Sequence, residues 1–382
     1  MTIYFVAGEA SADNHAAALM CSLRERDADL HFIGRGGPQM RKIAGGQFKN
    51  WIDDAAVLGL WEVIRKYGYF REQFHETLNE IHESKPDAIV LIDYPGFNLR
   101  LARALRKQSP RQKIIYYISP QVWAWNRGRI KKMGRLLDLM LCIFPFEADL
   151  YNKSGLRAVF VGHPMIERLR ARKIGTERDR NLIGLFPGSR MREVRKIFPV
   201  MLESVPELQK QNRNMRFEIA AASEELAREI REMLDQRGQD QQGIQIKVGE
   251  TAALMQRAFA GIVASGSATL EAAYFRLPFV LIYKVTWPTY LAARLVVSVK
   301  YLGMPNVLAD REVVPEFIQH RARPDAIVKA VRQLIEKANA RDRMISEFDR
   351  IVGKLGEDGA SDQAARAIIE EIGRKIDMKQ IN

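Results

Sequence analysis

The sequence predicts an α/β protein made of two doubly wound, Rossmann-like domains that face each other across a cleft. Short β-rich runs alternate with helical segments, and each run is almost continuously apolar, which is typical of parallel strands covered by helices on both faces. The pattern stops in one charged stretch, residues 167–181, and then starts again. A length of 382 residues is too great for one ordinary core and suits two domains.

The predicted elements divide the chain at the charged stretch. The strands of the first half are residues 3–8, 30–34, 88–93, 113–119, 139–144 and 158–162. Those of the second half are residues 182–188, 216–222, 244–249, 261–265 and 278–284. Beyond residue 320 the pattern is helical. The predicted domains are therefore residues 1–166 and 167–354, with the terminal helical segment 355–382 joining the first domain.

Charge and cysteine content narrow the class of protein. The chain has 59 Lys and Arg against 46 Asp and Glu, a net charge of +13, which favours a nucleic acid, an anionic membrane or a phosphorylated substrate as partner. Cys21 and Cys142 have no metal-binding or disulfide spacing, which indicates a reducing, cytoplasmic setting. The N-terminus lacks signal-peptide features, and no apolar run reaches the roughly 18 residues of a membrane span. Any membrane contact is expected to be peripheral.

Two strand ends in the first half are candidate sites, because ligands of open α/β sheets bind at the carboxyl ends of strands. Small and polar residues follow the first strand, and they suit either a ligand or a capped strand-to-helix turn: Gly8, Glu9, Ser11 and Asp13. In the stretch LIDYPGFN, Asp93 ends an apolar strand. A partly desolvated carboxylate there is suited to accept a proton from a hydroxyl, although an Asx-turn is the alternative.

Two strand ends in the second half predict an anion site. In LFPGSRMREV the strand stops at Gly188 and Ser189, and a helix starts after Arg190, so backbone amides and a guanidinium can hold phosphate. A Walker lysine is missing, which disfavours an NTPase. The second turn carries small and hydroxyl residues before a glutamate: Ser265, Gly266, Ser267, Thr269 and Glu271. Glu271 is suited to accept ribose hydroxyls, and a capping box is the alternative interpretation.

Three further segments are candidates with weaker signals. Asn306 and Glu316 are polar residues among apolar ones, as in a loop that closes over a ligand. Residues 119–133 combine tryptophans with a basic helix. Residues 57–74 carry apolar side chains on more than one helical face, which predicts contact with a bilayer or an acyl chain, or else a helix buried on both sides. The residues predicted to make that contact are Leu60, Trp61, Ile64, Tyr67 and Phe70.

The order of these motifs resembles the lipid-A-disaccharide synthase family. The motifs are GEASAD, LGLWEV, DYPGFN, SPQVWAW, FPFE, FVGHP, PGSRMREV, ASGSATLE, MPNVLA and VPEFIQ, and they extend from about residue 3 to residue 320. Ala12 stands where the family usually has the second glycine of its first motif. The resemblance implies a GT-B fold and an inverting hexosyltransferase that needs no metal and no other cofactor.

The resemblance also implies substrates and residue roles. The donor is UDP-2,3-diacylglucosamine, the acceptor is the 6-hydroxyl of 2,3-diacylglucosamine 1-phosphate (lipid X), and the product is the β-1,6 disaccharide. Asp93 takes the place of the family's base, and Arg190, Glu271 and Glu316 take UDP-site positions. The remaining UDP-binding residues are Gly188, Ser189, Ser265, Gly266, Ser267, Thr269 and Asn306, and the acceptor or cleft residues are Gly8, Glu9, Ser11, Asp13 and Asn98.

Two other classes of protein stay open at this point. A UDP-sugar 2-epimerase shares the fold and the UDP site but needs no acyl-binding surface. A nucleic-acid-binding protein suits the charge, although its basic residues are expected to cluster, and here they are spread over both halves. The favoured interpretation is a peripheral enzyme on the cytoplasmic face of the inner membrane, without a nucleic-acid partner and with a homodimer left open.

Overall fold

The computed structural model describes residues 1–46, 48–52, 67–125, 128–210, 212–236, 243–287, 290–291, 299–356 and 359–374. Contacts between Cα atoms divide the chain into two compact units. The first unit comprises Met1–Pro164 and Leu355–Asn382, and the second comprises Met165–Lys354. Each unit is built on one parallel sheet. No helix in the described ranges is both long enough and apolar enough to cross a bilayer.

The first unit contains a sheet of seven described strands in the order β3-β2-β1-β4-β5-β6-β7. The strands are β1 Thr2–Ala7, β2 His31–Gly36, β3 Phe48–Asn50, β4 Ala88–Ile92, β5 Lys113–Tyr117, β6 Leu139–Cys142 and β7 Ala158–Phe160. The helices between them are α1 Ala10–Arg26, α2 Pro38–Ala44, α3 Tyr67–Ser84, α4 Pro95–Gln108, α5 Val122–Trp125, α6 Gly128–Met133 and α7 Pro145–Asn152.

The second unit contains a sheet of six described strands in the order β10-β9-β8-β11-β12-β13. The strands are β8 Asp179–Phe186, β9 Arg216–Ala221, β10 Ile244–Val248, β11 Ala258–Ala264, β12 Phe279–Tyr283 and β13 Glu316–Ile318. The helices are α8 Met165–Arg170, α9 Met191–Gln209, α10 Glu224–Gln236, α11 Thr251–Arg257, α12 Ala268–Tyr274, α13 Met304–Ala309, α14 Pro324–Glu336 and α15 Ala338–Gly353, with a 3₁₀ turn at Gln319–Arg321.

The predicted fold class is confirmed in each unit. All pairs within both sheets are parallel, and every residue of β4 is buried, as expected for a strand covered on both faces. Both sheets reverse their strand order once, between β1 and β4 in the first unit and between β8 and β11 in the second. Such switch points open a crevice at the carboxyl ends of the two strands.

The structure differs from the sequence prediction at short elements. The strands β3 and β13 were not predicted, because three residues are too few to establish a period. The charged stretch 167–181 is only partly a connection, since it contains the end of α8 and the first three residues of β8. Polar residues can start β8 because that end of the strand is only partly buried.

The C-terminal helix α16, Ala360–Gly373, packs on α1 and the first sheet. Ala364, Ala365 and Ile368 belong to the core cluster that contains Leu19 and Leu23 of α1. At the other end of the helix, the buried Glu371 carboxylate accepts a hydrogen bond from Lys113 Nζ at 2.9 Å and pairs with the Arg157 guanidinium. One carboxylate therefore joins α16 to the start of β5 and to the residue that precedes β7.

We expect Glu371→Ala to lower the free energy of unfolding by about 3 kcal/mol, because it leaves two cations beside a partly buried cavity without their anion. Glu370→Ala is the matched control: its carboxylate is 57% exposed and lies 3.8 Å from Arg157. That change is expected to cost less than about 1 kcal/mol. Urea unfolding of both variants measures the difference, and equal losses would contradict the anchoring role of Glu371.

Candidate functional site

The first strand-end site lies at the switch point between β1 and β4. Ala7 and Ile92 are direct partners at the ends of these strands, so Gly8 and Asp93 follow them side by side. The conformation is enforced by packing: a Cβ atom on Gly8 would lie 2.5 Å from Cδ1 of the Tyr94 ring. Glycine at position 8 thus lets the aromatic ring next to Asp93 cover the end of β1.

The backbone at Asp93 is held in an unusual conformation. Asp93 and Tyr94 have φ angles of 46° and 49°, in the left-handed region that non-glycine residues rarely occupy. Each costs about 1–3 kcal/mol and persists only where neighbouring groups fix it. The groups that fix the turn are the Asp93 N–H bonded to the Tyr117 carbonyl at 3.0 Å, the Tyr116 hydroxyl donating to the Asp93 carbonyl, and Asn98 Nδ2 donating to the same carbonyl at 2.8 Å.

Burial and a neighbouring charge shift the titration of the Asp93 carboxyl. Desolvation is the largest cause, and the Glu9 carboxylate adds repulsion; together they raise the pKa of Asp93 to about 6. The same two effects, with a further contribution from Tyr69, raise the pKa of the Tyr94 hydroxyl to about 12. The site thus holds a carboxylate that is ionised near neutral pH and more basic than an exposed aspartate, which suits a general base.

Several predicted residues near Asp93 have supporting positions. Asp13 is buried, and its carboxylate accepts bonds from the N–H groups of Gly37, Gln39 and Met40, each at 3.0 Å. It therefore caps α2. The alternative interpretation of these residues as a capped strand-to-helix turn is wrong at α1, since this helix begins after Glu9 with no side-chain cap. Asn98 is also buried, and its side-chain amide holds the Asp93 turn by donating to the carbonyls of Ile92 and Asp93. Glu9 and Ser11 are exposed at the strand end.

A buried polar cluster lies at the ends of β5 and β6. The sequence analysis did not predict it. The Glu147 carboxylate accepts hydrogen bonds from Trp123 Nε1 at 2.9 Å and from the Phe144 N–H at 3.3 Å. Burial, the dominant cause, raises the pKa of Glu147 to about 7. The sequence did indicate this position, because the motifs SPQVWAW and FPFE both directly follow strands, where functional side chains of such sheets lie.

The second strand-end site lies at the switch point between β8 and β11. Phe186 and Val263 are partners near the ends of these strands, so the turn at Gly188–Arg190 lies beside the turn at Ser265–Ser267. Gly188 has a φ angle of 110°, and a Cβ atom there would lie 2.8 Å from Glu193 Oε2. Ser189, Arg190, Gly266 and Ser267 are exposed. The two predicted halves of the anion site are thus neighbours within this unit.

Arg190 is the N-cap residue of α9, and its side chain is 68% exposed. Its guanidinium Nη1 lies 3.2 Å from Glu193 Oε1 in the first turn of the helix. The charges of Glu193 and Arg190 also act on the hydroxyl of Tyr283 at the end of β12, whose pKa is raised mainly by burial. An exposed arginine held by one carboxylate beside a helix N-terminus can exchange that partner for phosphate.

Glu271 and Thr269 have partners other than those of a capping box. The alternative interpretation is wrong here, since the N-cap residue Ser267 makes no side-chain cap bond and Glu271 Oε1 instead lies 3.1 Å from Arg168 Nη2. Burial raises the pKa of Glu271, and Arg168 and Arg172 oppose the shift. Thr269 is buried, and its hydroxyl donates to the Gly266 carbonyl at 2.8 Å, so it shapes the turn.

Asn306 and Glu316 form one bracing unit in the structure. Asn306 Nδ2 donates to Glu316 Oε1 at 2.8 Å, and Asn306 Oδ1 accepts from the N–H groups of Val313 and Val314. Glu316 also accepts from the N–H groups of Leu302 and Gly303 at the start of α13. The two side chains fix the loop around α13, and their contact with UDP stays a prediction.

The predicted membrane segment, residues 57–74, falls only partly within the described residues. Leu60, Trp61 and Ile64, together with the Tyr67 side chain, lie outside the described residues. Phe70 is partly exposed and packs against the core cluster of the first sheet, so it serves the core as well as the surface. Among the described residues, no three His, Cys, Asp or Glu side chains are grouped as a metal site would require.

Comparison with known proteins identifies the family. A family model described as lipid-A-disaccharide synthetase matches residues 3–368. A lipid-A-disaccharide synthase of Geobacter sulfurreducens is 37% identical over 98% of both chains, and one of Myxococcus xanthus is 35% identical over 96% of this chain and 97% of its own. The chain belongs to the lipid-A-disaccharide synthase family. It is therefore a glycosyltransferase of lipid A biosynthesis.

Solved structures place the lipid-A-disaccharide synthase fold among GT-B proteins. A UDP-GlcNAc 2-epimerase from Neisseria meningitidis superimposes with a TM-score of 0.62 at 14% identity, covering 97% of this chain and 99% of its own. The MurG protein of Acinetobacter baumannii superimposes with a TM-score of 0.58 at 12% identity and the same coverage. At these identities the likeness concerns the fold alone.

We expect Asp93→Asn to stabilise this synthase in a pH-dependent way. The carboxyl titrates from its ordinary value of 3.8 when unfolded but at about 6 when folded, so its ionisation penalises the folded state progressively between these pH values and fully above them. Asn removes the penalty and tolerates the left-handed backbone.

The gain in unfolding free energy is expected to grow from pH 4 to pH 6 and then stay at roughly 2–3 kcal/mol. Urea unfolding as a function of pH measures it. Asp29→Asn, at an exposed position, is the control. A gain that does not vary with pH would mean that the carboxyl of Asp93 is not the source.

Proposed function

We propose that the protein transfers 2,3-diacylglucosamine from its UDP derivative to the 6-hydroxyl of 2,3-diacylglucosamine 1-phosphate, with inversion, to give the β-1,6 disaccharide and UDP. The observation that carries the proposal is Asp93, a carboxylate at a sheet switch point whose pKa is raised to about 6. Inverting transfer needs one base for the incoming hydroxyl and a separate group of donors for the departing diphosphate.

Asp93 is the proposed base. With a pKa of about 6 it is mostly ionised at pH 7, and it retains more affinity for the hydroxyl proton than an exposed aspartate would. The hydrogen bonds to its backbone from Tyr116, Asn98 and the strand β5 fix the direction of the side chain before substrate arrives. The residues Gly8, Glu9 and Ser11 are proposed to border the acceptor sugar.

The turn Gly188–Arg190 is the proposed site of the diphosphate. Negative charge grows on the β-phosphate as the glycosidic bond breaks, and backbone N–H groups with a guanidinium stabilise it without reorganisation. Glu193 Oε1 lies 3.2 Å from Arg190 Nη1. A diphosphate carries more charge and offers a bidentate acceptor, so it competes effectively for the exposed guanidinium. The proposal requires neither a metal nor another cofactor.

The turn Ser265–Ser267 and Glu271 are the proposed site of the ribose and the adjoining phosphate. Glu271 lies in the first turn of α12, next to the turn Ser265–Ser267, and burial raises the pKa of its carboxyl. Arg168, at 3.1 Å, keeps a cation next to it. The carboxylate can therefore accept the ribose hydroxyls while Arg168 balances its charge. Asn306 and Glu316 are proposed to hold the neighbouring loop in place for UDP.

The proposed location is the cytoplasmic face of the inner membrane, with the protein bound peripherally. Both substrates carry acyl chains, and the net charge of +13 favours an anionic surface. The alternative interpretation as a UDP-sugar 2-epimerase is disfavoured, since such enzymes share only the fold with this chain, which belongs to the synthase family. An epimerase consumes no acceptor, which gives a direct experimental distinction.

We expect disaccharide to form only when both UDP-diacylglucosamine and the monosaccharide phosphate acceptor are present. Asp93→Asn is expected to lower kcat by at least about 100-fold, since a positioned base contributes this much or more. UDP affinity should be unchanged, and Asp29→Asn should match the wild type.

Thin-layer separation of the lipid products measures turnover. The wild-type rate is expected to decline below about pH 6 as Asp93 takes up its proton. Release of UDP or a change in the sugar without acceptor would favour the epimerase, and a retained rate in Asp93→Asn would remove Asp93 as the base.

We expect Arg190→Ala to weaken UDP binding by about 10- to 100-fold, because a charge-assisted contact to phosphate is lost. Arg192→Ala is the matched control, since it removes the same charge from the same turn of α9. Calorimetric titration with UDP gives both affinities. If Arg190→Ala and Arg192→Ala weaken UDP binding by the same factor, Arg190 contributes long-range charge rather than contact with the diphosphate.

A further inference from the structure

A groove of about 810 Å³ lies at the carboxyl edge of the second sheet. Its walls come from the segment after β12, from α9 and from the 3₁₀ turn. The groove adjoins the diphosphate turn, because one of its walls is α9, the helix that begins directly after Arg190. The residues that matter for its chemistry are Lys196, Lys284, Trp287, His320 and Arg323.

The lining of the groove is positively charged. Arg323 is paired with Asp325, its Nη2 lying 2.5 Å from Oδ2, so it contributes little net charge. Among the described residues, Lys196 and Lys284 have no carboxylate within salt-bridge distance. These two ammonium groups and the exposed His320 line a concave surface, and no carboxylate is among the described residues that line it.

The rim of the groove exposes large apolar side chains. Trp287 is 59% exposed and Leu291 is 58% exposed, and both are among the most exposed large apolar residues that the structure describes. The Tyr290 N–H donates to the Thr286 carbonyl at 2.9 Å, the bond of a helical turn, so positions 287 and 291 share a face. An exposed tryptophan and leucine beside unpaired lysines is the composition of an interfacial membrane-binding surface.

We propose that this groove and its rim form a docking surface for anionic phospholipid, carried by the second unit and independent of residues 57–74 of the first. Lys196 and Lys284 bind the lipid phosphates, and Trp287 and Leu291 enter the headgroup region. Because the groove adjoins the diphosphate turn, docking brings the UDP-sugar site to the surface that holds its acylated substrates. The inference rests on the proposed peripheral contact with an anionic membrane.

The test is cosedimentation of the full chain with vesicles, in the absence of any substrate. Vesicles of phosphatidylcholine containing phosphatidylglycerol are compared with phosphatidylcholine alone. Lys196→Glu with Lys284→Glu is expected to weaken binding to the anionic vesicles by about 10- to 30-fold, from the usual contribution of each lysine near such a surface. Lys329→Glu with Lys337→Glu, at exposed positions of the same unit, is the charge-matched control and should bind far more tightly than the groove variant.

A second variant tests the apolar rim. Trp287→Ser with Leu291→Ser is expected to lower vesicle binding about 10-fold at unchanged net charge, and thermal melting of both groove variants checks that they remain folded. If both groove variants bind the anionic vesicles as tightly as the wild type does, the groove inference is overturned while the proposed function stands. A wild type that binds no anionic vesicle would overturn both the inference and the peripheral location.

Discussion

The position of every functional group in this protein depends on the burial of parallel strands. A strand such as β4, buried along its whole length, can satisfy its backbone only through neighbours in the sheet, and parallel neighbours require helical crossovers on both faces. All strands of a sheet therefore end at the same edge. The strand order reverses once in each sheet, and the two crevices that result contain Asp93 in one unit and Arg190 in the other.

The conformation and the charge of Asp93 are both unfavourable locally, and neighbouring residues stabilise them. Two successive residues in the left-handed region and a carboxyl whose ionisation is disfavoured each destabilise the fold. Hydrogen bonds to the Asp93 backbone from Tyr116, Asn98 and β5 offset this destabilisation, and none of these groups needs to contact a substrate. This arrangement explains why buried polar residues surround the turn: they fix a basic carboxylate in one direction, which an unconstrained loop would not do.

The alternation of apolar strands and helices was sufficient to predict both sheets and the strand ends that carry polar residues. It did not predict β3 or β13, because neither is long enough to have a period. The pattern also did not predict which side chains make contact when they are distant in sequence. Asp13 lies in α1 but caps α2, and Glu271 pairs with Arg168, 103 residues earlier in the chain. A sequence pattern indicates that a polar residue lies at a strand end, whereas only the packed structure determines which group it meets.

The pairing of Arg190 with Glu193 has a consequence for specificity. Glu193 lies against Gly188, so the carboxylate occupies the same small volume in which the turn would hold an anion. A weak, singly charged anion gains little by displacing it, since one charge replaces another. A diphosphate brings more charge and more acceptor oxygens, and the helix N-terminus stabilises it further. At the proposed diphosphate site, an internal competitor of this kind would lower the affinity for small anions more than the affinity for UDP, which suits the proposed location at a phospholipid surface.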